Sequence, residues 1–250
     1  MRKILLALTL ALLPVASRAD ISVITGGVER PEYFANGTTY VEAIRGRSLQ
    51  LRITNPTGSR VAVALSVDGL NTIDAKHTSG WNAAKWVLDP YETVDIDGWQ
   101  VNDRTARRFV FTGERQSYGA ALGQTQNLGV IEAIFYRERT PRSMGEYRVQ
   151  PRDEERSAAG AEAPAPPRSV QSGVLPKEAD DYAATGMGDR TRHDVTSVNI
   201  DLDPHPISTV RIRYEFRPQL VKLGILPHEP SPLARREKAR GFERYCPEVD

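Results

Sequence analysis

Between Thr38 and Glu138 apolar side chains recur at every second residue, broken by Gly and Pro at short intervals, and this pattern restricts the segment to antiparallel sheet. Leu49, Leu51 and Ile53 alternate with Gln50, Arg52 and Thr54, the period of two that turns one strand face to a core and the other to water. Asn55-Pro56-Thr57-Gly58 follows as a turn, with Pro presetting φ and Gly accepting conformations that other residues avoid. Val61, Val63, Leu65 and Val67 resume the alternation, and Ala62, Ala64 and Ser66 between them are small. A strand with no strongly polar face is expected at the centre of a sheet. Asp68-Gly69 ends it. Trp86 and Leu88 lead to Asp89-Pro90, Val94 and Ile96 to Asp97-Gly98, and Phe109 and Phe111 to Gly113. The run from Val130 to Tyr136 is long and mostly apolar, as a buried strand should be. Short strands spaced roughly 8–14 residues apart, with no helical periodicity between them, predict an all-β chain, a mostly antiparallel β-sandwich.

The pattern stops at Thr140. Charged residues (Arg142, Arg148, Arg152, Asp153, Glu154, Glu155, Arg156) are followed by the Ala/Pro-rich run from Ala158 to Pro167, which cannot bury enough apolar surface to offset the entropy of ordering. Residues 140–180 are therefore expected to be a long disordered insertion. Two further strands are predicted, Val195–Leu202 and Ile207–Phe216, joined by a turn at Asp203-Pro204-His205-Pro206. A pair of strands is marginal alone, so residues 181–226 are expected to complete the sandwich begun by residues 20–139; a separate small domain is the alternative. In the charged tail, 227–250, Ser231-Pro232 offers an N-cap and an N1 proline for a short C-terminal helix reaching Arg240.

Residues 1–19 read as an address. Met1-Arg2-Lys3 is basic, Ile4 to Val15 is apolar, and Ser17-Arg18-Ala19 places small residues where a signal peptidase would cut before Asp20. The apolar run is too short for a membrane span of ~20 residues. The expectation is a signal peptide and a periplasmic or secreted product with no transmembrane segment. Of 33 basic side chains, Arg2, Lys3 and Arg18 leave with that segment, against 32 acidic ones that all stay, for a formal charge of −2. Such balance gives no electrostatic case for nucleic acid. Cys246 is the one cysteine, so an intramolecular disulfide is excluded; a free tail thiol and an intermolecular disulfide stay open.

Chemistry-bearing residues are sparse. There are four histidines (His77, His193, His205, His228) and no Gly-x-Ser-x-Gly elbow, so no nucleophilic triad is legible. Asp95-x-Asp97-Gly98 resembles the opening of a calcium loop, but the third ligand before the Gly and the closing glutamate are missing. Asp95 and Asp97 are thus weak metal candidates, with calcium as the ion, and a hairpin turn at Asp97-Gly98 is the plainer reading. His193, Asp201, Asp203 and His205 supply ligand types without a zinc spacing, and Gly186-Met187-Gly188 reads as a flexible re-entry rather than a phosphate loop. Trp81 and Trp99 fall beside Gly80 and Gly98 in predicted turns. They are the candidate binding residues, as exposed rings that stack on sugars or on apolar patches of a partner; folding back as lids on the sandwich edge is the structural alternative.

Several segments, taken in order, carry a resemblance. They are Tyr40-Val41-Glu42, Asn55-Pro56, Val67-Asp68-Gly69-Leu70-Asn71, Trp86-Val87-Leu88-Asp89-Pro90, Asp97-Gly98-Trp99 and Asn127-Leu128-Gly129-Val130-Ile131. Gly186-x-Gly188 and Arg213-Tyr214, with Leu220 and Gly224, continue the series. In these the chain resembles a family of uncharacterised secreted or periplasmic proteins of Gram-negative bacteria. The resemblance implies one unit built from both blocks and implies no activity.

The functional expectation is a non-enzymatic exported β module that binds an envelope component, either a protein or a polysaccharide. The alternatives are an envelope polysaccharide-acting enzyme with paired carboxylates such as Asp68 and Asp97, and a calcium-stabilised adhesin-like domain.

Overall fold

The computed structural model describes residues 20–139 and 180–228. The expected signal peptide, the expected disordered insertion up to residue 179, the helix expected from Ser231 and Cys246 lie outside the described residues. The strands, in chain order, begin with β1 (Asp20–Thr25), β2 (Val28–Glu29), β3 (Glu32–Ala35), β4 (Thr38–Ala43), β5 (Ser48–Thr54), β6 (Val61–Val67) and β7 (Leu70–Asn71). They continue with β8 (Trp86–Leu88), β9 (Thr93–Ile96), β10 (Gly98–Asn102), β11 (Thr105–Gly113), β12 (Val130–Glu138), β13 (Ala183–Arg192) and β14 (Leu202–Phe216). Two short helices accompany them, α1 (Tyr118–Ala121) and α2 (Arg217–Lys222).

These strands form two seven-stranded sheets. The first contains β2, β1, β5, β9, β10, β11 and β13; the second contains β3, β4, β14, β12, β6, β7 and β8. Among the described residues every pairing is antiparallel except that of β14 with β4, so the chain is an all-β, mostly antiparallel sandwich. The alternation read from the sequence is the alternation of burial. Leu49, Leu51 and Ile53 of the first sheet and Val61, Val63, Leu65 and Val67 of the second share one core with Phe109, Phe111, Phe135, Ile212 and Tyr214. Strand β6 is central, between β12 on one side and β7 and β8 on the other.

The segment after residue 180 enters both sheets. Strand β13 pairs with β11, and β14 lies between β12 and β4. Three details differ from the sequence reading. Residues 193–201 carry no strand, and the predicted turn at 203–206 is inside a continuous 15-residue strand. Pro is tolerated there because β14 pairs with β12 through register shifts that leave ladder positions unmade. Gly186 and Gly188 are strand residues, not a flexible re-entry, and a Cβ on Gly188 would come within 2.5 Å of Val110 Cγ2. Asp97-Gly98 is not a hairpin turn. It is the point where the chain stops pairing with β5 as β9 and starts pairing with β11 as β10.

Candidate functional site

Two of the depressions on the described surface differ in how their polar groups are engaged. The first is a cleft of about 640 Å³ near the crossing from β13 to β14, lined by Trp86, Val94, Ile96, His193, Val198 and Leu202 among others. The polar groups around Trp86 and His193 are bonded. Trp86 Nε1 donates to Thr72 Oγ1 at 2.9 Å, His193 Nδ1 lies 2.7 Å from Gln100 Oε1, and Gln100 Nε2 donates to the carbonyl of His193 at 3.0 Å. Groups already satisfied in this way hold the crossing segment and gain little from a ligand.

The second is a groove of about 320 Å³ on the outer face of the second sheet. Its floor follows from the sequence of β6, whose outward residues Ala64 and Ser66 are small beside Glu132 and Ile134 of β12. On one side stands the irregular segment Thr72–Lys85, on the other Arg211 and Arg213 of β14. Asn71 staples that segment at both ends: its amide donates to the Ala84 carbonyl at 2.8 Å, and its Oδ1 accepts from the Ile73 amide at 2.8 Å. Gly80 presses on the sheet, where a Cβ would meet Ile134 Cδ1 at 2.5 Å. Lys85 Nζ donates to the Ala83 carbonyl at 2.9 Å and sits over the rings of Trp81 and Tyr136 at 5.4 and 5.2 Å. Partial burial of this ammonium holds its pKa below the usual lysine value. The segment is thus a fixed wall.

The sequence-predicted site residues divide. Trp81 is 43% exposed and packs edge-on against Tyr136, with ring centroids 5.4 Å apart. Trp99 is corrected: at 2% exposure it is core, edge-on to Phe109 and Tyr118 at 5.1 and 5.0 Å. It points inward because β10 continues the pleat after Gly98, and a ring this large between two sheets displaces water most effectively there. Asp95 and Asp97 lie two residues apart on one face, but Asp95 takes both guanidinium bonds of Arg52 at 2.8 Å and Asp97 accepts from Gln50 Nε2 at 2.6 Å. A cation and an amide donor stand where a calcium loop needs further oxygens. No group of three or more His, Cys, Asp or Glu side chains converges among the described residues. Asp203 and His205 pair locally at 3.0 Å, whereas His193 turns to Gln100.

Asp68, offered with Asp97 as one of a pair of carboxylates for an enzyme, is 2% exposed. It begins a tight two-residue turn, Asp68-Gly69, with both φ angles positive (53° and 76°) between β6 and β7, the geometry of a type I′ hairpin. The turn aims the carboxylate inward. Oδ1 accepts from the Gly129 amide at 2.8 Å and from the Tyr214 hydroxyl, and Oδ2 accepts from the Thr185 amide at 2.7 Å. Burial pushes its pKa up to about 7 against the opposing pull of the Tyr214 hydroxyl and the amides of Thr185, Gly129 and Val130. A perturbed acid in a cleft would be a candidate catalyst. This one is bonded to chain on every side and neither it nor Asp97 lines either depression, so it joins the two halves of the chain rather than facing a substrate.

Sequence reading missed the groove residues Lys76, His77, Arg211 and Arg213. The available signals were the small outward face of β6 and the Arg213-Tyr214 pair. No helix among the described residues is long and apolar enough to cross a membrane. Comparison with known proteins finds no match: no family model, no curated protein and no solved structure is similar to the chain.

Proposed function

We propose that this protein is a non-enzymatic, exported β module that binds a component of the cell envelope on the outer face of its second sheet. The observation that carries the reading is Trp81, held 43% exposed on a stapled segment whose neighbouring residues Gly80 and Ala83 line a polar groove. A large amphipathic ring fixed before binding loses little entropy when it stacks on a partner. Periplasmic or extracellular placement rests on the form of residues 1–19.

The test is crosslinking of the full-length protein in intact cells, followed by identification of what is captured. Trp81→Ala is expected to lower capture severalfold. Because it removes an edge-on contact with Tyr136 and the ring beneath the Lys85 ammonium, it should cost about 1–2 kcal/mol of stability in urea unfolding. Unchanged capture by a variant that folds normally would remove Trp81, and with it this face, from the binding surface.

A further inference from the structure

We propose that the groove on the second sheet binds a saccharide carrying a carboxylate or phosphate, with Arg213 as the ligand of the anionic group. The inference deepens the module reading above and rests on it. The groove differs from the larger cleft in what its polar groups do. Arg211 is committed to Glu132, donating at 2.5 and 3.1 Å. That pairing neutralises the one carboxylate lining the groove and leaves Arg213 beside it on β14. The Arg213 guanidinium makes no hydrogen bond among the described residues. The carboxylate it influences, Glu215, is turned to the Ala183 amide at 3.1 Å. Lys76, on the opposite wall, reaches Asp74 only at 3.6 Å. The groove therefore has an excess of positive charge and an unengaged fork of donors suited to a planar or tetrahedral oxyanion.

The remaining groups favour a polyhydroxylated body for that anion. His77 Nδ1 lies 2.9 Å from the Gly69 carbonyl. A carbonyl only accepts, so Nδ1 is the donor here and Nε2 is the ring nitrogen left for a ligand. Asn127 and Thr78 add an amide and a hydroxyl with no side-chain partner among the described residues. Hydroxyl-bearing ligands use such mixed donors and acceptors. The apolar strip of Ala64, Val130 and Ile134 beneath them suits the C–H face of a sugar ring. A volume of about 320 Å³ is at the small end for a ligand site, where roughly 300–1,000 Å³ is usual. It fits about one or two rings.

The experiment is calorimetric titration of the full protein with digalacturonate, glucose 6-phosphate and uncharged maltose. Binding of either anionic probe, with maltose weaker by about tenfold or more, is expected, as is a loss of about tenfold or more on Arg213→Gln. Binding of digalacturonate alone assigns the anion to a carboxylate, and of glucose 6-phosphate alone to a phosphate. Arg190→Gln, on the exposed edge of β13 in the other sheet, should leave affinity unchanged. Equal affinity for maltose, no binding of either anion, or equal losses from the two arginine variants would overturn the proposal. If the sugars fail while Trp81→Ala still lowers cellular capture, the ligand class falls and the module reading stands.

Discussion

Asp68→Ala is expected to destabilise the protein by on the order of 3–5 kcal/mol, because it leaves the buried amides of Gly129 and Thr185 without an acceptor. Tyr214 loses its carboxylate as well, although its hydroxyl keeps Thr185 Oγ1 at 2.8 Å. Asp68→Asn is the sharper variant: one acceptor survives, but the new amide nitrogen must face the backbone N–H of either Gly129 or Thr185, and donor meets donor. The native acid also makes stability depend on pH in a defined direction. Its folded pKa is raised to about 7 by burial, against about 3.9 in an unfolded chain. Between those values the folded state holds a proton that the unfolded state has lost. Stability from this group is therefore full below about pH 4, falls as pH rises to about 7 and is flat above, a total change of about 4 kcal/mol. The protonated carboxyl stays satisfied if the hydroxyl chain reverses, with Asp68 donating to Tyr214 and Tyr214 donating to Thr185. Urea unfolding of native and Asp68→Asn protein at pH 5 and pH 8 checks this. A pH dependence that survives the substitution undiminished would assign it to other groups.

The same network explains which parts of the fold were legible in the sequence. Strand β6 was readable because its inward residues form an unbroken two-residue period and Asp68-Gly69 closes it with turn chemistry. What Asp68 does was not readable, since its partners Gly129, Thr185 and Tyr214 are 61, 117 and 146 residues away. Local patterns carry faces and turns; they do not carry which distant amide a carboxylate will meet. The same limit hid the groove, whose walls come from residues 76–80 and from Arg211 and Arg213. Trp99 misled for a different reason. A tryptophan after Asp-Gly reads as a turn residue, but here Asp97-Gly98 moves the strand from one partner to another and the pleat continues into the core. Proline misled likewise at 204 and 206, where an irregular ladder tolerates it.

Gly98→Ala tests that reading of the crossover and is expected to cost about 4 kcal/mol or more, enough to remove the folded state of a marginally stable domain. An added Cβ would lie 1.9 Å from the Arg107 carbonyl oxygen, 2.5 Å from its carbon and 2.8 Å from Arg108 Cα. All three are backbone atoms of β11, the strand with which β10 is registered through Gly98 and Arg108. No side chain can swing aside to relieve the overlap, so the strands must separate. Separation would disturb the bond from the Phe109 amide to the Asp97 carbonyl at 3.0 Å and withdraw Trp99 from Phe109 and Tyr118. The loss should appear as a red shift of tryptophan fluorescence together with a lower urea midpoint. Gly46→Ala is the matched control. Gly46 has φ +75° and nothing within 4 Å of a new Cβ, so only left-handed backbone strain opposes alanine, at about 1–2 kcal/mol. If Gly98→Ala were no worse than Gly46→Ala, β10 and β11 would not be in close backbone contact at this point, and the crossover would owe its position to Trp99 alone.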